Sequence, residues 1–594
     1  MRPTHLKVAV SLGMALALAG CSGSPSGDPA SPSISSTVAP ECAPDVPTIE
    51  TGSGPICGIS QVSGGQTANA YLGVPFAQPP VEKNRWAPPQ PVQNWTDVRA
   101  TTALTPSCPA PATPVTAAGY IGAEDCLYLN IWTPSAPSES PRNIMVYIPG
   151  GGFMVGGGNL PGYNGTYMAG SSDTIVINMS YRLGALGYLR YTNNSAGIEG
   201  NFGILDQLVA LQWIKTNAAA LGGDPTKITL FGESAGAEST ALHLFSIPKS
   251  KDLFRAAIME SNTAAELFPG PAESAMDGAA FVDILCNYQT EPTCPKDAVW
   301  LRSLPLETVM EAQNTQTPAT GLTGLLVAGV EPGAIAFEPT VGVAPIMNQT
   351  LSGFGKDSPP KPFVMGHNQN EGGFFVPQPL LTTTATYTQW LQNMVGEKGA
   401  KEVLAYSSAG SRPYNPASYI FDTPSGMTPA SQALMRAITD FIVASANIYT
   451  FAAVAPQMKA AGLPMFGFEF SQIATFNYQG LPQCSPQSLN ICHSFEIPFV
   501  FSNFVARNEQ GNQTPVQGTP AEIALATKMT AAWTGFADDP SSETGWGQPA
   551  LNSAETGPYV KWNENAGSIN DMGSRVNYNL WKPFLEEALR TASQ

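Results

Sequence analysis

Short apolar runs recur along the chain at Asn143–Ile148, Thr174–Met179, Lys227–Phe231, Phe363–Gly366 and Met465–Phe470. Near-continuous hydrophobicity over so few residues is the pattern of a strand covered on both faces, as in a parallel sheet. Two earlier stretches are also strand-prone, Gln66–Phe76 and Glu124–Pro134, the second alternating until proline stops it. Between the second and third apolar runs, Ile204, Leu208, Leu211 and Ile214 fall on one face of a helix that Leu221-Gly222-Gly223-Asp224-Pro225 ends. Helical patterns at Ala521–Phe536 and Asn577–Arg590 close the chain. Strand, helix and strand in alternation predict an α/β fold with a large, mostly parallel central sheet and helices on both faces. No internal repeat and no second catalytic module is visible, so residues 41–594 read as a single domain.

Two of the predicted strands end in glycine-rich turns. Lys227–Phe231 breaks into Gly232-Glu233-Ser234-Ala235-Gly236 and then into a helix-compatible stretch. The pentapeptide alone could equally be a structural turn. A strand before it and a helix after it are what a nucleophile elbow needs, with Ser234 on a tight turn and no room for side chains at 232 or 236. The amide of Ala235, at the positive end of the new helix, is then placed to donate to an oxyanion. The run Asn143–Ile148 ends in Pro149-Gly150-Gly151-Gly152-Phe153. Its bare backbone suits the other half of an oxyanion hole, through the amides of Gly151 and Gly152, though also a flexible loop or a phosphate cradle. No Gly-Lys-Ser/Thr follows, which discounts a nucleotide loop.

Composition narrows the partners. Asp and Glu outnumber Lys and Arg by 45 to 28, which argues against nucleic acid and against a polyanionic membrane surface. Arg2 and Lys7, an apolar stretch from Val8 to Ala19, and Leu18-Ala19-Gly20-Cys21 give residues 1–20 the form of a signal peptide. The pattern resembles the lipobox of bacterial lipoproteins. That implies lipidation of Cys21, membrane attachment through the lipid and, with Ser22 next, an outer-membrane destination where the cell has one. An ordinary secretory signal with an incidental cysteine is the alternative, and then the protein is secreted; export follows from either. Residues 21–40 are rich in Ser, Pro and Gly and suit a flexible tether. Setting Cys21 aside leaves eight cysteines, 42, 57, 108, 126, 286, 294, 484 and 492; neighbours pairing would close four short loops, and no spacing looks like a zinc site.

Taken together, Glu124-Asp125-Cys126-Leu127-Tyr128-Leu129-Asn130, Gly150-Gly151-Gly152-Phe153, Gly200-Asn201-Phe202-Gly203 with Asp206-Gln207, and Phe231–Gly236 resemble the type-B carboxylesterase and cholinesterase family of α/β-hydrolases. The likeness runs from about residue 50 to 590. It implies a carboxylic-ester hydrolase with an acyl-serine intermediate, no metal and no organic cofactor, acting on a small-molecule ester. In the triad order of that superfamily, Glu371, in His367-Asn368-Gln369-Asn370-Glu371-Gly372-Gly373, falls where the acid is expected, and His493 follows it downstream. His493 would then act as general base to Ser234, with Glu371 fixing its tautomer. His243, nine residues past Ser234 on one helix, reads as structural. The resemblance also suggests Cys108 with Cys126 and Cys286 with Cys294; a Cys484–Cys492 bridge would tether the His493 loop, and Cys42 with Cys57 is the remainder.

Two residues depart from the family pattern. Pro149 stands where many relatives have His or Tyr, and Ser494 where Gly usually follows the histidine. Cholinesterases carry a Trp for the choline cation in the loop before the equivalent of Cys126; Pro109–Glu124 has none, which disfavours choline esters, although Tyr120 offers a ring face. Residues 319–333 read equally as a mobile wall over the pocket or as a surface loop. Carbamate or amide hydrolysis and a non-enzymatic binding role are the competing readings, the latter opposed by the presence of Ser234, Glu371 and His493. Oligomeric state and acyl chain length stay open.

Overall fold

In a computed structural model of the chain, eleven strands build one sheet around which the described residues are organised. These are residue 42 and residues 45–592, apart from 113–118, 194–195, 262–267, 289–293, 317–336, 377–381, 408–412, 420–426, 508–511 and 551–556. The stretches read above as a signal peptide (1–20) and a tether (21–40), Cys21 included, and the Gly-rich stretch 319–333 lie outside them. The compact body runs from Cys42 to Gln594.

The strands are β1 (Ile59–Ser63), β2 (Gln66–Pro75), β3 (Tyr128–Pro134), β4 (Arg142–Ile148), β5 (Thr174–Met179), β6 (Gly223–Glu233), β7 (Ala256–Glu260), β8 (Phe363–Asn368), β9 (Met465–Phe470), β10 (Tyr559–Trp562) and β11 (Gly567–Ile569). Their spatial order is β11-β10-β9-β8-β7-β6-β4-β5-β3-β2-β1. From β10 to β5 all neighbours are parallel, and antiparallel pairs close both edges. The sheet is therefore mostly parallel, and the apolar runs are its central strands. β4 shows why they carry no alternation. Ile144, Val146 and Ile148 enter one core while Met145 and Tyr147 enter the other, and all are fully buried.

Helices α1 (Phe202–Asn217) and α2 (Ala235–Phe245) pack into the first core, and α5 (Pro520–Asp538) contributes Met529, Trp533 and Phe536 to the second. A short α3 (Gly372–Phe375) and a longer α4 (Pro429–Val443) lie between them in the chain. β8 runs two residues further than its apolar segment. His367 and Asn368, expected in the following loop, are strand residues, paired in register with Glu469 and Phe470 and buried. Their polarity hid them, because the periodicity of apolar residues cannot register polar side chains satisfied from inside.

The Gly200–Gly203 motif is structural. Asn201 turns the chain at φ 58° and exchanges hydrogen bonds with the Thr340 backbone, its Nδ2 donating to the carbonyl and its Oδ1 accepting from the amide, each at 2.8 Å. A Cβ on Gly203 would lie 2.5 Å from the Arg182 carbonyl. Arg182 is locked to Asp206 of α1, donating from Nε at 2.8 Å, from Nη2 at 2.7 Å and from its amide at 3.0 Å. Both side chains are buried. Asp206→Ala would strand the guanidinium in the core, so we expect a loss of about 3–5 kcal/mol in urea unfolding. A loss below about 1 kcal/mol would mean that the pair holds nothing together.

Candidate active site

β6 hands over to α2 through one residue. Ser234 sits at φ 57°, ψ −129°, a backbone that a side chain adopts only under strain. Its amide donates to the Glu260 carbonyl at 3.0 Å and its carbonyl accepts from Glu238 at 2.9 Å, so the strained turn is pinned from both sides. The flanking glycines are sterically required. A Cβ on Gly236 would fall 1.9 Å from the Ile148 carbonyl, and one on Gly232 would fall 2.5 Å from the Gly236 carbonyl. The elbow therefore abuts the end of β4, where the triple-glycine loop begins.

That loop runs against Ser234. A Cβ on Gly150 would stand 2.9 Å from Ser234 Cβ. Gly151 and Gly152 have φ of 121° and 58°, and among the described residues their amides donate to no backbone carbonyl. Met154 and Val155 donate to the Gly151 carbonyl, which turns the loop back. Tyr181 donates its hydroxyl to the Pro149 carbonyl at 2.8 Å, so the residue that departs from the family pattern is fixed through its backbone.

Glu371 and His493 meet across two loops. Oε2 of Glu371 lies 2.6 Å from His493 Nδ1, and Oε1 accepts from the Ser261 hydroxyl at 2.7 Å and the Asn368 amide at 2.6 Å. Glu371 is fully buried and His493 nearly so. Burial opposes the charge of Glu371, but the imidazole and these donors outweigh it and hold the carboxyl below its usual range. Phe375 and Phe374 flank the imidazole at ring distances of 4.8 and 5.7 Å, and Gln479 donates to the His493 carbonyl at 3.1 Å. Nε2 of His493 makes no hydrogen bond among the described residues; Glu233 Oε1 is 3.0 Å away but out of line. Burial also opposes the imidazolium, yet Glu233 and Glu371 together raise its pKa well above the ordinary value.

Sequence reasoning missed the layer behind this pair. Asn368 Nδ2 donates to Ser261 Oγ at 3.2 Å and to Glu496, and Trp533 donates to Glu260 Oε1 at 2.9 Å. Burial, with the neighbouring carboxylates, lifts Glu496 to about 8 and Glu260 well above the carboxylate range, whereas Glu371 is held below it. Glu233 directly precedes Ser234 and Glu496 follows His493 by three residues, so sequence proximity to the candidate catalytic residues was the available signal. Ser261, Asn368 and Tyr181 gave none. His243 is buried, between Ser250 Oγ at 2.7 Å and Gln207 Oε1 at 3.1 Å, and burial depresses its pKa to about 3. It remains uncharged and away from the elbow's chemistry. Tyr120 donates its hydroxyl to Glu307 at 2.9 Å.

Four disulfides join Cys42 to Cys57, Cys108 to Cys126, Cys286 to Cys294 and Cys484 to Cys492. The last abuts both loops of the site. It ends one residue before His493, and a Cβ on Gly373, two residues after Glu371, would lie 2.5 Å from Cys492 Sγ. Asn370 reinforces the join, its amide donating to the Ile491 carbonyl at 3.0 Å and its Oδ1 accepting from the Ile491 amide at 3.2 Å. Replacing both Cys484 and Cys492 by alanine frees this short loop in the unfolded chain, for an expected loss of about 2–3 kcal/mol. Urea midpoints of the oxidised parent and the double variant test it; equal midpoints would refute the bracing role.

The model of the carboxylesterase family matches residues 45–581. Cholinesterase of Mus musculus is 29% identical over 573 residues, covering 91% of this chain and 87% of that protein. A stretch of 235 residues is 42% identical to acetylcholinesterase of Gallus gallus, covering 37% of this chain and 30% of that protein. Among solved structures, a PNB esterase and a thermophilic PNB esterase align with TM-scores of 0.67 and 0.69 at 26% and 25% identity, each over 90% of this chain and 99% of the other.

Proposed function

The chain belongs to the carboxylesterase family and is a serine carboxylesterase, and from that premise we propose that Ser234, Glu371 and His493 form its catalytic triad. The observation that carries this reading is the 2.6 Å contact of buried Glu371 with His493 Nδ1 in a chain whose Ser234 occupies a strained strand-to-helix turn. His493 Nε2 accepts the proton of Ser234 Oγ as that oxygen attacks the ester carbonyl. The amides of Gly151, Gly152 and Ala235 receive the oxyanion. Collapse of the tetrahedral species breaks the bond to the alkoxy oxygen, which takes the proton from His493, and leaves an acyl-serine. Water then attacks that acyl carbon, losing its proton to His493 and releasing the acid. Glu371 holds Nδ1–H and stabilises the imidazolium.

The substrate is a small carboxylic ester. The choline ester implied by the mouse relative's name is disfavoured by the absence of Trp between Pro109 and Glu124. The disulfides fit an exported protein, and attachment of lipid at Cys21 is part of the proposal. A fluorophosphonate probe with peptide mapping, followed by a p-nitrophenyl ester chain-length series, tests the assignment. Modification of Ser234 with turnover supports it, and folded, disulfide-intact protein that neither labels nor turns over sinks it.

The charge around His493 fixes the pH profile. A general base must be neutral, and two carboxylates favour the imidazolium, so activity appears only as that proton leaves on raising the pH. The acid limb of kcat/KM should therefore lie above about 6.5, the ordinary imidazole value. A plateau already reached below that pH would contradict the arrangement.

A further inference from the structure

Ser494 follows His493 at φ 68°, a backbone that glycine takes freely and that a serine side chain makes costly. Its hydroxyl donates to Oε1 of Glu233, the same oxygen that stands 3.0 Å from His493 Nε2. Both side chains are buried. Although Glu233 is that close, the contact lacks the alignment of a hydrogen bond to Nε2.

We propose that Ser494 is a positioning residue: its hydroxyl occupies Glu233 Oε1 and keeps that carboxylate out of line with His493 Nε2, leaving the nitrogen available to Ser234. The proposal rests on the triad assigned above. Without the hydroxyl, the Glu233 carboxylate is free to rotate until Oε1 accepts Nε2–H. That bond is charge-assisted, so the imidazolium holds its proton more tightly and the base is withdrawn from the nucleophile. Two carboxyl groups act on the ring, Glu233 from the end of β6 and Glu371 after β8, and two more act on those carboxyls, Glu496 beyond His493 on both and Glu260 from β7 on Glu233. The phenols of Tyr147, Tyr163 and Tyr478 interact electrostatically with Glu233, and Arg507 acts on the last two. Of these groups only Glu233 and Glu371 lie against the imidazole nitrogens, and Glu371 is held by Ser261 and Asn368, so Glu233 is the one that Ser494 controls.

The test is a histidine NMR titration of the full chain labelled at imidazole carbon, which reads His493 whether or not the protein turns over. There are only four histidines to assign. Ser494→Ala and Ser494→Gly should both raise the His493 pKa by about one unit, the scale of one charge-assisted hydrogen bond, and should move the acid limb of kcat/KM with it. The glycine variant relieves the backbone strain and keeps the comparison available if alanine destabilises the loop. In a Glu233→Gln background, removing the Ser494 hydroxyl should leave the pKa unmoved. An unchanged or lowered pKa in the single variants, or the same rise without Glu233, overturns the proposal. Absence of ester turnover in the parent overturns the triad instead, so the two failures are distinct.

Discussion

Ser234→Ala should fold as the parent does and lose on the order of 10⁴–10⁶ in kcat. Alanine keeps the Cβ, so the strain at φ 57° and the close packing of Gly150 against that atom are unaltered, as are the backbone bonds to Glu260 and from Glu238. Only the oxygen is removed. The amides of Gly151, Gly152 and Ala235, proposed above as the oxyanion hole, remain in place, so a residual rate over water should survive. The measurement combines p-nitrophenyl ester turnover, fluorophosphonate labelling and the urea midpoint. A variant retaining a tenth or more of parental kcat would remove Ser234 from the nucleophile's role. Lost turnover accompanied by a collapsed midpoint would show that the elbow needs the hydroxyl to fold.

How much of this was legible before the fold was known depended on whether a residue's partner is close in sequence. The central strands could be read because burial on both faces leaves an uninterrupted apolar run, as β4 and β5 show. β10 and β11 went unrecognised. They are short, and their place at the sheet edge is defined by β9, some ninety residues earlier, rather than by their own pattern. The glycines at 232 and 236 announced the elbow because steric demand there admits no other residue. Ser261 and Asn368 gave no such signal: each is an ordinary polar residue until β7 and β8 bring it to Glu371. Ser494 was visible only as a departure from a pattern, and its bond to Glu233 spans 261 positions of sequence.

Those long-range donors decide the outcome of Glu371→Gln, for which we expect a loss of about 10⁴ in kcat. The carboxylate now accepts on both oxygens, from Asn368 N–H and Ser261 on one side and from His493 on the other. A glutamine has one accepting oxygen and one NH₂. The Asn368 amide belongs to the backbone and can only donate, so the NH₂ cannot face it without a buried donor meeting a donor. The amide oxygen is therefore driven to the Asn368 side and the NH₂ toward His493. Nδ1 must then accept, its proton moves to Nε2, and the imidazole presents a donor to Ser234 where a base is needed. Glu371→Ala lacks this enforced tautomer, so it should retain more activity than the near-isosteric glutamine despite the larger cavity. The pair of kcat values, read with the histidine tautomer from imidazole ¹⁵N shifts, tests the argument. Glutamine more active than alanine, or Nδ1 still protonated in Glu371→Gln, would mean that Glu371 acts through its charge alone.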